Sequence, residues 1–191
     1  MLIGCRDAEK GEKTVTEMYK NGLIVDLQVV DANDADSIEQ MIKLVKNEYG
    51  RLDVLVNNAG IILDRGVSIL KVEESMVKET FETNFFGGLR LIQASVPLMK
   101  EQGYGRIVNL SSGLGAFEFL QGFGGLKGSS GAYRISKTML NALTCLVAQE
   151  LSEPNIKVNA VCPGRVRTDT GGQDALVLSL KVRILLNFCM S

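Results

Sequence analysis

The chain has 191 residues, of which 46% are hydrophobic and 23% charged, and a formal net charge of −1. That length suffices for one domain with a sizeable core, and the balanced charge leaves no basic footprint for nucleic acid. The sequence holds no histidine, which excludes Ser-His-Asp and Cys-His mechanisms and histidine-ligated metal sites, so no metal is expected and proton transfer must use Tyr, Lys, Asp, Glu or Cys.

Residues 2–5 are a short apolar run, read as a strand, that ends at Arg6-Asp7. Residues 8–20 are polar and helix-prone, and Asn21-Gly22 is a stop signal. Leu23 to Val30 is rich in Val, Ile and Leu and predicts a strand. Asp34 can cap the next helix, where Ile38, Met41, Ile42 and Val45 fall at i, i+3, i+4, i+7 before Gly50. Leu52 to Val56 predicts a buried strand running into Asn57-Asn58-Ala59-Gly60. A long helix is expected from about 73 to 100, then a strand from Arg106 to Leu110. Residues 113–131 are rich in glycine, carry Phe117, Phe119 and Phe123, and lack periodicity; they are expected to form a loop acting as a lid. A helix over 132–152, a strand from Ile156 to Val161 and a turn at Cys162-Pro163-Gly164 follow. Ala175 to Met190 is apolar but interrupted by Lys181 and Arg183, and is too short for a clean membrane span.

Strands alternating with helices predict an α/β fold, a doubly wound parallel sheet that binds ligands beyond the carboxyl ends of its strands. Asn57, Ser112 and Pro163-Gly164 each follow a predicted strand. Tyr133 and Lys137, four apart on a helix, share a face. A neighbouring ammonium can lower the pKa of a phenol toward neutrality. Ser112 can donate to a carbonyl oxygen and its incipient alkoxide. Asn84 lies beside two phenylalanines and two glycines, which points to a distorted helix whose side-chain amide tethers a water. Taken singly, the Tyr-Lys pair could lie on the surface, Ser112 could merely end a strand, and Asn84 could be a buried, satisfied amide.

Taken in order, Asn57-Asn58-Ala59-Gly60, Asn84, Asn109-Leu110-Ser111-Ser112, Tyr133-x-x-x-Lys137 and Pro163-Gly164-x-Val166-x-Thr168 resemble the short-chain dehydrogenase/reductase family. The resemblance covers residues 1 to about 172 of a single domain and leaves 173–191 as an atypical tail. Asn84-Phe85-Phe86-Gly87 and Pro163 to Asp169 look most like the NADPH-dependent carbonyl reductases. The resemblance implies a Rossmann-type oxidoreductase that passes a hydride from NADPH to an aldehyde or ketone. It makes Tyr133 the proton donor and Lys137 its partner and a ribose ligand. Ser112 would orient the substrate, although Ser111 competes for that role, and Asn84 would hold a relay water. Asn58 and Gly60 would line the cofactor near its adenosine-side ribose, Ala59, Pro163 and Gly164 would also meet it, and Val166 and Thr168 would grip the nicotinamide carboxamide. Asp31 and Ala32 would meet the adenine. Cys5 stands where NAD-using members carry an acid, and Arg6 next to it suits the 2′-phosphate of NADP.

The family's glycine-rich turn and first strand have no counterpart in the sequence, which begins at what resembles the second strand. Strand order 3-2-1-4-5-6 puts the first strand at the sheet centre. The sheet is therefore expected either to close directly, 2–5 against 52–56, or to stay split, and the chain to bind dinucleotide poorly. A catalytically dead homologue kept as an interaction module is the competing reading, as is a fragment without function. Family members oligomerise through the helices that correspond to 73–100 and 132–152, so a homo-oligomer is expected. Cys5, Cys145, Cys162 and Cys189 show no CxxC spacing and read as reduced thiols of a cytoplasmic protein. Met1 to Cys5 is too short for a signal peptide, and no membrane partner is expected.

Overall fold

The computed structural model describes residues 1–122 and 129–164. Phe123, Val166, Thr168, the rest of 165–169 and the tail expectations for 173–191 lie outside the described residues.

Parallel strands alternate with helices. The order is β1 (Leu2–Cys5), α1 (Ala8–Lys20), β2 (Asp26–Val29), α2 (Ala35–Tyr49), β3 (Val54–Asn57), α3 (Glu74–Phe81), α4 (Gly87–Gln102), β4 (Gly105–Leu110), α5 (Phe117–Leu120), α6 (Gly131–Glu150) and β5 (Ile156–Val161). Local chemistry sets the helix ends as the sequence suggests. Asp7 accepts from the Lys10 amide at the start of α1, and Asp34 accepts from the Asp36 amide at the start of α2. Asn21 and Gly50 close the same two helices.

The strands form two parallel sheets, β1-β2 and β3-β4-β5, rather than one continuous sheet. Of the two expected outcomes the split one holds: β1 and β3 are not paired among the described residues. The strand expected over 23–30 shrinks to Asp26–Val29, because β1 offers only Leu2 to Cys5 as partners. Leu23 and Ile24 are left exposed. In the larger sheet, Val54 to Asn57 align with Arg106 to Asn109, and Gly105 to Leu110 with Ile156 to Val161.

The main core lies between this three-stranded sheet and helices α4 and α6. Ile92, Met99, Ile107, Leu140, Leu143, Ile156 and Val158 are buried together there. Helix α2 packs on α4 and joins the two-stranded half to that core. An exposed Lys46–Glu101 ion pair spans the same contact at 2.7 Å, although exposed pairs contribute little to stability.

The long helix expected over 73–100 is broken into α3, one π-helical turn over Glu82–Phe86, and α4. Such widened turns occur mainly at functional sites. The expected loop at 113–131 also holds structure. Ser112 accepts from the Leu114 amide to start a 3₁₀ turn over Gly113–Gly115, and α5 follows. The Arg134 guanidinium donates to the Phe119 carbonyl and ties α5 down. No helix among the described residues is long and apolar enough to cross a membrane.

Candidate active site

The carboxyl ends of β3, β4 and β5 bring Asn57, Ser111-Ser112 and Cys162 to one edge of the larger sheet. Helix α6 crosses beneath that edge and carries Tyr133 and Lys137, both buried. A buried polar ladder fixes strands to helix. Asn57 Nδ2 donates to Asn109 Oδ1 at 2.8 Å, Asn109 Nδ2 donates to Thr144 Oγ1 at 2.8 Å, and Thr144 Oγ1 donates to the Leu140 carbonyl at 2.7 Å. Three paired polar groups inside a core enforce one register of β3, β4 and α6.

The two adjacent serines face opposite ways. Ser111 Oγ donates to Asn141 Oδ1 at 2.5 Å and lies against the Lys137 carbonyl at 3.3 Å. It is a structural hydroxyl locked to the body of α6. Ser112 instead stands beside the Tyr133 phenol, near enough to favour its ionised form. The structure thus separates the two candidates and puts Ser112 beside Tyr133.

Close packing sets that distance. A Cβ on Gly115 would lie 2.7 Å from the Lys137 carbonyl carbon and 2.8 Å from the Thr138 nitrogen. Only a residue without a side chain lets the 3₁₀ turn press on the helix backbone there. Thr138 Oγ1 donates to the Gly115 carbonyl at 2.8 Å and seals the contact.

Lys137 Nζ donates to the Leu110 carbonyl at 2.7 Å and lies 5.8 Å from the centroid of the Tyr133 ring. Burial lowers the ammonium pKa to about 8. The Tyr133 phenol moves the other way. Burial raises its pKa, the Ser112 hydroxyl opposes this, the Cys162 thiol adds to the rise, and the Arg65 guanidinium reduces it. The expectation that Lys137 brings the phenol down is therefore corrected. Desolvation is the largest effect, and the ammonium is directed at a backbone carbonyl.

Asn84 sits at the π turn, 2% exposed. Its Oδ1 accepts from the Ile61 amide at 2.8 Å, and its Nδ2 donates to the Ile61 carbonyl at 2.9 Å and to Ser136 Oγ at 3.0 Å. Both amide hydrogens are used within the protein, so a water held by Asn84 would be bound through its oxygens. Its visible task is to clamp the loop after β3 onto the widened helix. Ser136 completes the clamp; as an ordinary small residue between Tyr133 and Lys137 it gave no separate signal in the sequence.

The residues assigned to a dinucleotide fall into two groups. At the paired ends of β1 and β2, the Val30 amide donates to the Cys5 carbonyl at 3.0 Å, so Arg6 and Asp31 follow adjacent strands. Asp31 Oδ1 accepts from the Asn33 amide, and Ala32 lies against α4 at Gly87. At the other sheet, a Cβ on Gly60 would lie 3.4 Å from Lys137 Nζ and 3.6 Å from Asn84 Oδ1. Asn58, Ala59 and Gly60 thus run beside the buried amine. Pro163 and Gly164 follow β5, with Gly164 at φ 77°. These sites fit the two ends of a dinucleotide, since each lies beyond the carboxyl end of a parallel strand. No cluster of metal-binding side chains occurs among the described residues.

Comparison with known proteins agrees with this geometry. The short chain dehydrogenase family model matches residues 1–175. The 3-oxoacyl-(acyl-carrier-protein) reductase FabG of Staphylococcus aureus is 38% identical over 179 residues, covering 93% of this chain and 67% of that protein. The carbonyl reductase Sniffer of D. melanogaster superposes with a TM-score of 0.83 at 27% identity, over 95% of this chain and 75% of its own. A short-chain dehydrogenase from Streptomyces avermitilis superposes with a TM-score of 0.73 at 31% identity, over 91% of this chain and 59% of its own. The chain thus spans about 60 to 75% of these relatives. A strand-end serine beside a helix tyrosine and a buried lysine, and a family match over nearly the whole length, lead to one conclusion: the chain belongs to the short-chain dehydrogenase family.

Proposed function

We propose that this site reduces an aldehyde or ketone with NADPH. The observation that carries the reading is the placing of Ser112, Tyr133 and the buried Lys137 amine together, with Ser112 beside the phenol and Lys137 Nζ 5.8 Å from the centroid of its ring. The similar structures include a carbonyl reductase from chicken fatty liver, described as NADPH bound, at 29% identity and a TM-score of 0.77.

Ser112 and Tyr133 together offer two hydroxyl donors to one carbonyl oxygen, and so polarise it and fix its direction. Tyr133 gives its proton to the oxygen as negative charge develops there. Its raised pKa keeps it protonated, and therefore ready to donate, at neutral pH. Lys137, with a pKa of about 8, is mostly an ammonium at pH 7, held at the Leu110 carbonyl where its charge faces the cofactor side of the site. Asn84 keeps Ile61, and with it the Asn58–Gly60 turn, against the helix that carries both. A bound nicotinamide dinucleotide would supply the hydride. Lys137, Pro163, Gly164, Val166 and Thr168 would hold its nicotinamide half, Arg6, Asp31 and Ala32 its adenosine half, and Asn58, Ala59 and Gly60 would line it near the adenosine-side ribose. Arg6 favours NADP, because a guanidinium pairs with a phosphate in a charge-assisted contact.

The competing reading is an interaction module without turnover. It is favoured by the edges of β1 and β3, unpaired among the described residues, and by the exposed Phe86, Ile135 and Leu146 on the π turn and α6. A homo-oligomer through α4 and α6 is compatible with either reading. NADPH fluorescence and ketone reduction, measured on the chain and on its Tyr133→Phe variant, separate the two. The enzyme reading expects turnover that falls on the order of a hundredfold or more in Tyr133→Phe, with NADPH binding retained. Equal rates in the two proteins would exclude Tyr133 as the acid.

A further inference from the structure

We propose that Asp64 is a positioning residue for Tyr133: from a loop 68 residues away its buried carboxylate caps α6 one residue before the tyrosine. Asp64 has 0% exposure, and its Oδ2 accepts from the Ala132 amide at 2.7 Å. Buried charged side chains are rare unless something specific holds them. Here that something is a helix start, where amide donors lack intrahelical partners and the helix dipole favours an anion. Oδ1 has no hydrogen-bond partner among the described residues, so the Ala132 amide alone fixes this carboxylate.

The usual local cap is missing. Ser130 occupies the capping position but lies in the left-handed region, at φ 62°, and its side chain makes no capping bond. Serine in that region is strained, and the task passes to a distant residue. The same loop holds the helix at a second point. A Cβ on Gly131 would come within 2.7 Å of the Ile69 side chain. At its upstream end Asn84 grips both backbone groups of Ile61. Ile61, Asp64 and Ile69 thus pin one loop to the π turn and to the first turn of α6. The Tyr133 backbone follows directly from the capped amide, so the cap fixes where the phenol meets Ser112.

The inference rests on Tyr133 being the working acid, but its test reads structure and so fails separately from any loss of turnover. The full 191-residue chain is labelled at tyrosine Cζ with carbon-13, and the Tyr133 signal is assigned with Tyr133→Phe. Amide exchange is followed along α6 in parallel. Asp64→Ala is expected to speed exchange at Ala132 and Tyr133 by about tenfold or more, as loss of an N-cap does. Exchange at Leu140 to Thr144 should stay within about threefold. The Tyr133 signal should move in the direction produced by Ser112→Ala. Asp64→Asn keeps an acceptor and should restore both readouts to within about threefold of the parent. Asp64→Glu keeps the charge but displaces the acceptor by a methylene, and should move the Tyr133 signal as Ala does. If Asp64→Ala does not fold, the Asn and Glu variants decide between them. A Tyr133 signal unmoved in Asp64→Glu, or an Asn variant as disturbed as the Ala or Glu one, overturns the proposal.

Discussion

Gly115→Ala tests the packing that sets the catalytic distance. The new methyl would start 2.7 Å from the Lys137 carbonyl carbon and 2.8 Å from Lys137 Cβ. Carbon atoms settle at about 3.5–4.0 Å, so the turn and α6 must separate by roughly 0.8 Å or more. The atoms in the way are mostly backbone, and no rotamer change relieves them. Overpacking of this kind costs about 1–3 kcal/mol. For a chain of this length that lowers the melting temperature by about 2–4 °C per kcal/mol. The Thr138–Gly115 hydrogen bond, now 2.8 Å, would open past its working range. Ser112 lies three residues before Gly115 and moves with the turn, so its influence on Tyr133 weakens and the phenol titrates still higher. A misplacement near 1 Å can cost about a hundredfold in rate. Thermal unfolding and a carbon-13 titration of Tyr133 are the direct assays, and ketone reduction is the functional one. Gly113→Ala is the control, because its added methyl meets nothing closer than 3.8 Å, and its stability should change by less than about 0.5 kcal/mol. If Gly115→Ala matched Gly113→Ala in stability and in Tyr133 titration, the close contact would not set the site.

Other perturbations separate the roles of neighbouring groups. Lys137 has a folded pKa of about 8 against an ordinary 10.5. The unfolded chain therefore binds the extra proton between those values, and stability rises with pH across that window. Lys137→Met should flatten the rise in urea midpoints between about pH 8 and 10.5. Ser112→Ala should raise the Tyr133 pKa, whereas Ser111→Ala should leave it in place and reduce stability by about 1 kcal/mol through the lost Asn141 bond. Arg6→Asp should shift the ratio of NADPH to NADH dissociation constants by roughly tenfold toward NADH, and an unchanged ratio would show that Arg6 does not read the phosphate.

Those parts of the fold that depend on local chemistry were legible in the sequence. Asn21, Asp34 and Gly50 mark helix ends, and Ile38 and Val45 mark the buried face of α2, because caps and periodicity act within a few residues. The order of motifs pointed to the strand ends, where the structure has Asn57 closing β3, Ser112 after β4 and Pro163-Gly164 after β5. Side-chain direction was not legible. Nothing in Ser111-Ser112 says which hydroxyl faces the tyrosine; the pleat of β4 and the position of Asn141 decide it. The Tyr133 shift could not be read either, because it depends on how deeply the ring is buried once the turn at Gly115 has docked. Asp64 left one usable sign, a lone acid after the apolar run Gly60-Ile61-Ile62-Leu63, but its partner lies 68 residues away.

The break between the two sheets bears on how this chain comes apart. The β1-β2 half has few buried residues: Gly11 in α1, Val25 before β2, and Ile38 and Val45 in α2. The β3-β4-β5 half holds the main core, with Met99 and Ile107 at 0% exposure. Backbone hydrogen bonds of a continuous sheet would couple the two, but here the coupling falls to the α2–α4 contact. Such an arrangement favours separate cooperative units with different opening energies. Amides of β1 and β2 should exchange well before those of β4, and melting followed near Tyr19 should precede melting followed near Tyr133. A single free energy of unfolding then does not describe the molecule, and the half that carries Tyr133 and Lys137 outlasts the half that carries Arg6.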